Sequence, residues 1–323
     1  MKRLVFVILF LSWMHNESYA QDSLVVVFWN VENFFDYVDG GTGESDNQFS
    51  SRGSCHWTKK RFQSKCDAIA KSLLWIGDSY GRMPDVIGLA EVENRGVLWK
   101  LLNNTLLRKY DYKIVHYDSR DRRGIDVALL YRESIFHKVS HSLAVPEYEG
   151  ERMATRDMLQ VCLEGRMGQK INAIVCHHPS KYGDSVESEV KRSAAMNTLK
   201  GICDSLSMVN PGVPIVAMGD FNDTPDGNQF SLIEGVLLNK ASNLFEQGQG
   251  TIRYKGKWEL IDMFIVSEDI SKNSEMNIIQ VPFLMTYEKK YPGLKPLRTY
   301  SGPRYLGGVS DHCPVILSIS YIY

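Results

Sequence analysis

The sequence predicts a four-layer α/β/β/α sandwich, two mixed sheets packed face to face with helices outside. Three observations carry this. Several short runs are apolar on both strand faces, as strands covered on both sides must be. Strand-like segments outnumber helical ones, and no repeat or proline-rich linker divides the chain. Its 323 residues hold 44% hydrophobic residues, ample for one large core.

The elements follow in order. Residues 1–20 read as a signal peptide: Lys2 and Arg3, an apolar run from Leu4 to Met14, then Ser18-Tyr19-Ala20 as a small-x-small cleavage site. That run is too short to span a bilayer. The remainder, 21–323, is expected to be one exported domain with no stable membrane anchor. Leu24–Trp29 is a continuous apolar strand, and residues 36–57, rich in Gly, Ser and Asp, read as a long mobile loop. Phe62, Cys66, Ile69, Leu73 and Ile76 recur at helical spacing. Asp85–Ala90 is a second buried strand, followed by a helix through Leu98, Leu101, Leu102 and Leu106. Further strands are expected at 112–117, 126–131, 136–144, 157–163 and 170–177. Ala195, Leu199, Ile202 and Leu206 mark a second long helix. Strands at 213–218, 258–266 and 313–320 complete the set.

Charge narrows the function. With 37 Lys+Arg, 38 Asp+Glu and a formal net charge of −1, the chain is not a basic nucleic-acid-binding arm. Loss of Lys2, Arg3 and Glu17 leaves the mature chain slightly more acidic. Any phosphate recognition must therefore be local. The six cysteines match no zinc spacing; Cys55 and Cys66 are the pair best placed for a disulfide, and Cys162, Cys176 and Cys313 read as buried thiols.

Polar residues stand at the ends of the buried strands. Asn30 and Glu91 end the first two, His177 ends the segment 170–177, Asp220 and Asn222 follow the run 213–218, and Asp311 and His312 precede the last strand. One such residue is an ordinary strand terminus; six such positions are better explained by one convergent site. Hard oxygen donors without a thiolate suit Mg²⁺ or Mn²⁺. A metal, an anionic base and imidazoles together describe phosphoester hydrolysis. A triad of Ser180, His177 and Asp220 is the competing arrangement, but the chain has no GxSxG elbow.

The strings Trp29-Asn30-Val-Glu-Asn33, Glu91-Val-Glu-Asn94, Cys176-His177-His178-Pro-Ser180, Gly219-Asp220-Phe-Asn222-Asp, Ile261-Asp262 and Ser310-Asp311-His312 occur in this order. Together they resemble the endonuclease/exonuclease/phosphatase superfamily, the group of pancreatic deoxyribonuclease and the abasic-site endonucleases, over residues 24–320. The resemblance implies that Glu91 is the principal metal ligand, helped by Asn30 and Asp311. It implies that Asp220 orients or deprotonates water, that Asn222 holds the water or a phosphate oxygen, and that His177 and His312 contact the phosphate. Asp262 would hydrogen-bond His312 and keep it cationic. Arg123, in Arg123-Gly-Ile-Asp126, resembles a cleft-lining segment and is expected to bind substrate; Asp36 and Tyr37 would border the site. Cys176 stands where the family often has Asn, and His178 where it often has a bulky apolar residue. His178 is expected either to contact substrate or to serve as a local structural partner. The implied activity is that of a monomeric Mg²⁺- or Mn²⁺-dependent phosphodiesterase of nuclease type. A lipid or sugar phosphate is the alternative substrate class. The run Lys289–Lys295 mixes basic and aromatic residues, as a nucleic-acid track or a solvated loop would.

Overall fold

The computed structural model describes residues 23–320 apart from 42 and 182–184. The expected signal peptide lies outside the described residues. None of the described helices is long and apolar enough to cross a membrane.

Two six-stranded mixed sheets form the centre. The first runs Ser274–Ile278, Val315–Ser320, Ser23–Phe34, Val86–Val92, Asp126–Arg132, Tyr112–His116. The second runs Leu237–Asn239, Asp262–Ser267, Ile215–Asp220, Lys170–His177, Met158–Gly165, Phe136–Ala144. The period of two along Ser23–Phe34 divides its side chains between two cores. Val26 and Phe28 join Met218, Val175 and Phe264 between the sheets. Val25, Val27 and Trp29 pack with Phe62, Ile69 and Leu73 of the helix Lys59–Ser79 on the outer face. The helix Ser185–Val209 covers the second sheet through Ala195, Met196, Leu199 and Cys203. This is the expected layered sandwich.

Two glycines make close approaches possible. A Cβ on Gly88 would come within 2.6 Å of Met218 Sδ from the other sheet, and one on Gly219 within 2.5 Å of the Cys176 carbonyl.

Some local expectations need correction. The segment 36–57 has no regular strand or helix, but it is packed. Phe49 stacks on Phe35 at 5.1 Å between ring centroids, and Trp57 is buried with its indole N–H donating to the Phe35 carbonyl at 2.9 Å. Its polar composition concealed three aromatic anchors. The expected strand 258–266 is two, Lys257–Glu259 and Asp262–Ser267, broken where Ile261 and Asp262 turn into the site. All six cysteines are free and buried, so Cys55 and Cys66 form no disulfide. Cys66 faces the apolar core under its own helix, and burial pushes its thiol up to about 12.

Candidate active site

Strand register assembles one row of the site. Asp220 ends the strand Ile215–Asp220 and lies opposite His177 on its parallel neighbour and Asp262 on its antiparallel neighbour. Three polar residues far apart in sequence thus share one line across the end of the second sheet. The Asp220 carboxylate is held on both oxygens. Oδ2 accepts from the Asn30 amide at 3.0 Å and lies 3.5 Å from His177 Nε2, and Oδ1 accepts from the Asn222 backbone N–H at 2.9 Å.

The first sheet delivers its residues through irregular backbone. Glu91 sits at a break in register and has φ of 62°; Glu32 and Asn33 lie at another and have φ of 47° and 50°. Asn222 has φ of 50°. Non-glycine residues with positive φ are uncommon and strained, and four of the chain's seven gather here. A bulge re-aims a side chain that regular pleating would send into the core.

His312 is fixed from three sides. Its Nδ1 bonds Asp262 Oδ2 at 2.8 Å, its N–H donates to Ser310 Oγ at 3.0 Å, and its carbonyl accepts from the Trp29 indole at 3.0 Å. Ser310 Oγ in turn donates to the Asn30 carbonyl at 2.6 Å, which ties the two sheets' contributions together. Burial alone would pull the His312 imidazole down, but Asp262, then Asp220 and Asp311, hold it well above its ordinary value. Burial, together with the cations Arg156 and Arg123, drives His177 well below. One imidazole is therefore a cation and the other a neutral hydrogen-bonding group. Burial and the neighbouring Asp262 raise Asp220 to about 7. That is a carboxylate poised to gain or lose a proton near neutrality.

Two arginines hold the remaining acids. Arg123 grips Glu91 in a bidentate pair, Nη1–Oε1 3.2 Å and Nη2–Oε2 3.1 Å, and also donates to Asn33 Oδ1 at 2.6 Å. Burial works against ionisation of Glu91, but Arg123 outweighs it and keeps the carboxyl below its ordinary value. Arg298 donates to Glu32 Oε1 at 2.6 Å and lies 3.2 Å from Asp311 Oδ2. Beneath them the buried Lys65 ammonium donates to the Glu32 carbonyl and to Thr299 Oγ1. Burial lowers Lys65 to about 8 despite the acids around it.

The expected residues fall into three groups. His177, Asp220, Asn222, Asp262, His312 and Asn30 converge directly. Glu91 and Asp311 border them through arginine pairs, and Asn30 commits its amide N–H to Asp220. His178 does not offer substrate a contact. It is 1% exposed, its Nδ1 lies 2.9 Å from Gln229 Oε1, and its ring packs edge-on against Phe221. Its carbonyl accepts from Asn222 Nδ2 and Arg156, so it braces the loop behind Asp220. Asp36 pairs with Lys100, and Tyr37 packs near Phe62. Glu32, Lys65, Arg156 and Arg298 were missed. Glu32 lies inside the string Trp29–Asn33 and could have been found there; the others sit alone in helix or loop with no local pattern.

His178 gives a pH prediction. Burial, first, and then the cations Arg156 and Arg192 lower it to about 4, with the Gln229 contact opposing. Between pH 6.5 and about 4 the unfolded chain binds a proton that the folded chain does not, so stability is full above 6.5 and falls with acid. The loss attributable to this group is on the order of 3 kcal/mol. Urea unfolding at pH 7.5 and 5 should show the loss in the wild type and less of it in His178→Asn; equal losses in both would remove His178 as the cause.

The fold and site define a two-sheet phosphoesterase scaffold with its polar residues at one rim. A family model described as the endonuclease/exonuclease/phosphatase family matches residues 25–321, and the chain belongs to that family. No curated protein sequence matches the chain. Among solved structures, the human Nocturnin catalytic domain is 17% identical, covers 94% of each chain and has a TM-score of 0.58. TDP2 of D. rerio complexed with a single-strand DNA product is 12% identical over 93% of this chain and 99% of that one, TM-score 0.57. A mannosyl-6-phosphatase of Bacteroides thetaiotaomicron is 15% identical over 92% and 100%, TM-score 0.55. These likenesses carry the fold.

The family uses divalent metals, and the donors here are compatible with one. Glu91 is buried and ionised, and Asp311 is another hard oxygen donor. Asp220, Asp262 and His312 place ligand atoms within 4.8 Å of one another. Arg123 occupies both Glu91 oxygens, so a cation there would compete with the guanidinium.

Proposed function

We propose that the protein is an exported, metal-dependent phosphodiesterase of nuclease type that uses water as its nucleophile. The observation that carries this reading is Asp220, raised to about 7 and held by Asn30 and Asn222 between a cationic His312 and a neutral His177. Asp220 takes a proton from the attacking water, whose oxygen bonds to phosphorus as the ester P–O bond breaks. His312 and His177 donate to the phosphate oxygens and offset the charge that builds there. Asp262 holds the His312 ring in the orientation that leaves Nε2 toward Asp220. A bound divalent ion, held by Glu91 and Asp311, supplies Lewis-acid polarisation of a phosphoryl oxygen.

Substrate class rests on the cleft that begins at Asn222 and Asp311. It has a volume of about 950 Å³, and its walls include Tyr254, Lys255, Lys290 and Tyr291. Lys255 and Lys290 lie over the rings of Tyr254 and Tyr291 at 5.0 and 5.6 Å. Alternating cations and aromatic faces suit a single strand of nucleic acid. The D. rerio relative solved with single-strand DNA product supports the same reading. The mannosyl-6-phosphatase neighbour supports the second, a sugar phosphate at the same site.

A panel of single-stranded DNA, RNA, sphingomyelin and mannose 6-phosphate, each with Mg²⁺ and with Mn²⁺, tests the assignment. Turnover of an oligonucleotide at least tenfold above the others is expected, and Lys290→Ala should raise its KM with little change in kcat. Preference for the sugar phosphate, with Lys290→Ala silent, would transfer the assignment to the second reading.

A further inference from the structure

Two residues beyond Glu91, Glu93 opens onto a separate cavity of about 440 Å³. Six carboxylates line it, those of Asp36, Asp46, Glu93, Asp118, Asp121 and Asp126, and no lysine, arginine or histidine does. Three of these acids are answered from behind. Lys100 pairs with Asp36 at 2.7 Å, Arg156 with Asp121 at 3.1 Å, and His116 Nε2 lies 3.5 Å from Asp126. Among the described residues, Asp46 and Glu93 have no basic partner.

Asp46 is the informative one. It is 2% exposed, and its Oδ2 accepts the backbone N–H groups of Gly40 and Gly41 at 2.8 and 2.6 Å. Its Oδ1 is buried with no hydrogen-bond partner, although the side chain forms part of the cavity wall. A buried charged acceptor left without a donor is costly, and a cation is the group that removes the cost. We propose that this cavity is a calcium site, with Asp46 and Glu93 as its anchoring ligands and the other carboxylates of the wall completing the oxygen shell. Calcium accepts six to eight oxygens in irregular geometry, whereas Mg²⁺ demands a compact octahedron and Zn²⁺ prefers the sulfur and nitrogen donors this wall lacks.

The site has a structural consequence for catalysis. The backbone beside Asp46 is bonded to the loop that carries Arg123: Glu44 N–H donates to the Arg122 carbonyl at 2.8 Å. A cation bridging Asp46, Glu93 and the 118–126 wall clamps the Arg123 loop against the strand end that bears Glu91.

Thermal unfolding of the metal-free protein with Ca²⁺ alone tests this without reference to turnover. Glu91→Gln, which disables the hydrolytic metal site, is the background. Millimolar Ca²⁺ should raise its Tm by about 5 °C. Adding Glu93→Gln or Asp46→Asn to that background should abolish the rise, while both double variants stay cooperatively folded. No rise in the Glu91→Gln protein, or a rise that survives both second substitutions, overturns the site. An equal rise with Mg²⁺ overturns the calcium assignment. Absence of phosphoesterase activity, by contrast, would count against the hydrolytic reading alone.

Discussion

Asp220→Asn is expected to lower kcat on a phosphodiester by about 10³-fold or more, the range lost when a general base is removed. The substitution keeps the shape of the side chain, and its Oδ1 can still accept the Asn222 N–H. It cannot take a proton from water. The same change should leave the fold at least as stable at neutral pH. Burial and Asp262 raise the Asp220 carboxyl to about 7, so the folded protein takes up a proton that the unfolded chain releases. The sign follows: stability falls as pH rises from 3.8 toward 7, and a neutral amide escapes that loss. Steady-state kinetics beside urea unfolding checks both halves. An inactive but unfolded variant would say nothing for the mechanism, and a folded variant with full kcat would remove Asp220 from it.

The second large effect is expected at His312. His312→Gln removes the cation aimed at the phosphate and should cost about 10²–10³-fold in kcat, as loss of one preorganised charge-stabilising donor does. Asp262→Asn tests the same point from behind. It keeps a hydrogen bond at His312 Nδ1 but removes the carboxylate, which is completely buried and most responsible for the imidazole's raised pKa. That variant should lose about 10²-fold or more. Its pH–rate profile should lose activity on the alkaline side at lower pH than the wild type, because the imidazole deprotonates earlier. NMR titration of the His312 ring would show the shift directly. A variant with unchanged profile and unchanged kcat would reduce Asp262 to a packing residue.

The sandwich and the row of site residues were legible because both follow from strand chemistry. Val25 to Trp29 announce a strand covered on both faces, and a polar residue ending such a run is conspicuous. Pairing register then does what no local pattern reveals: it sets Asp220 beside His177 and Asp262. Roles were harder to read. His178 stands next to His177 in sequence, but adjacent strand residues point to opposite faces, and its ring lies behind Asp220 against Phe221 and Gln229. Arg298 and Lys65 join the site through tertiary contacts alone, so residue type and spacing gave no signal for them. The segment 36–57 misled because its turns are polar while Phe49 and Trp57 anchor it.

The central claim is metal-dependent hydrolysis of a phosphoester at the Asp220–His312 centre. Turnover of bis(p-nitrophenyl) phosphate by protein freed of metal with EDTA, before and after Mg²⁺ or Mn²⁺ is restored, measures it most directly. The account predicts no turnover in the stripped protein and recovery with either ion. Undiminished turnover in EDTA, together with covalent labelling of Ser180, would contradict it and point to the Ser180–His177–Asp220 alternative.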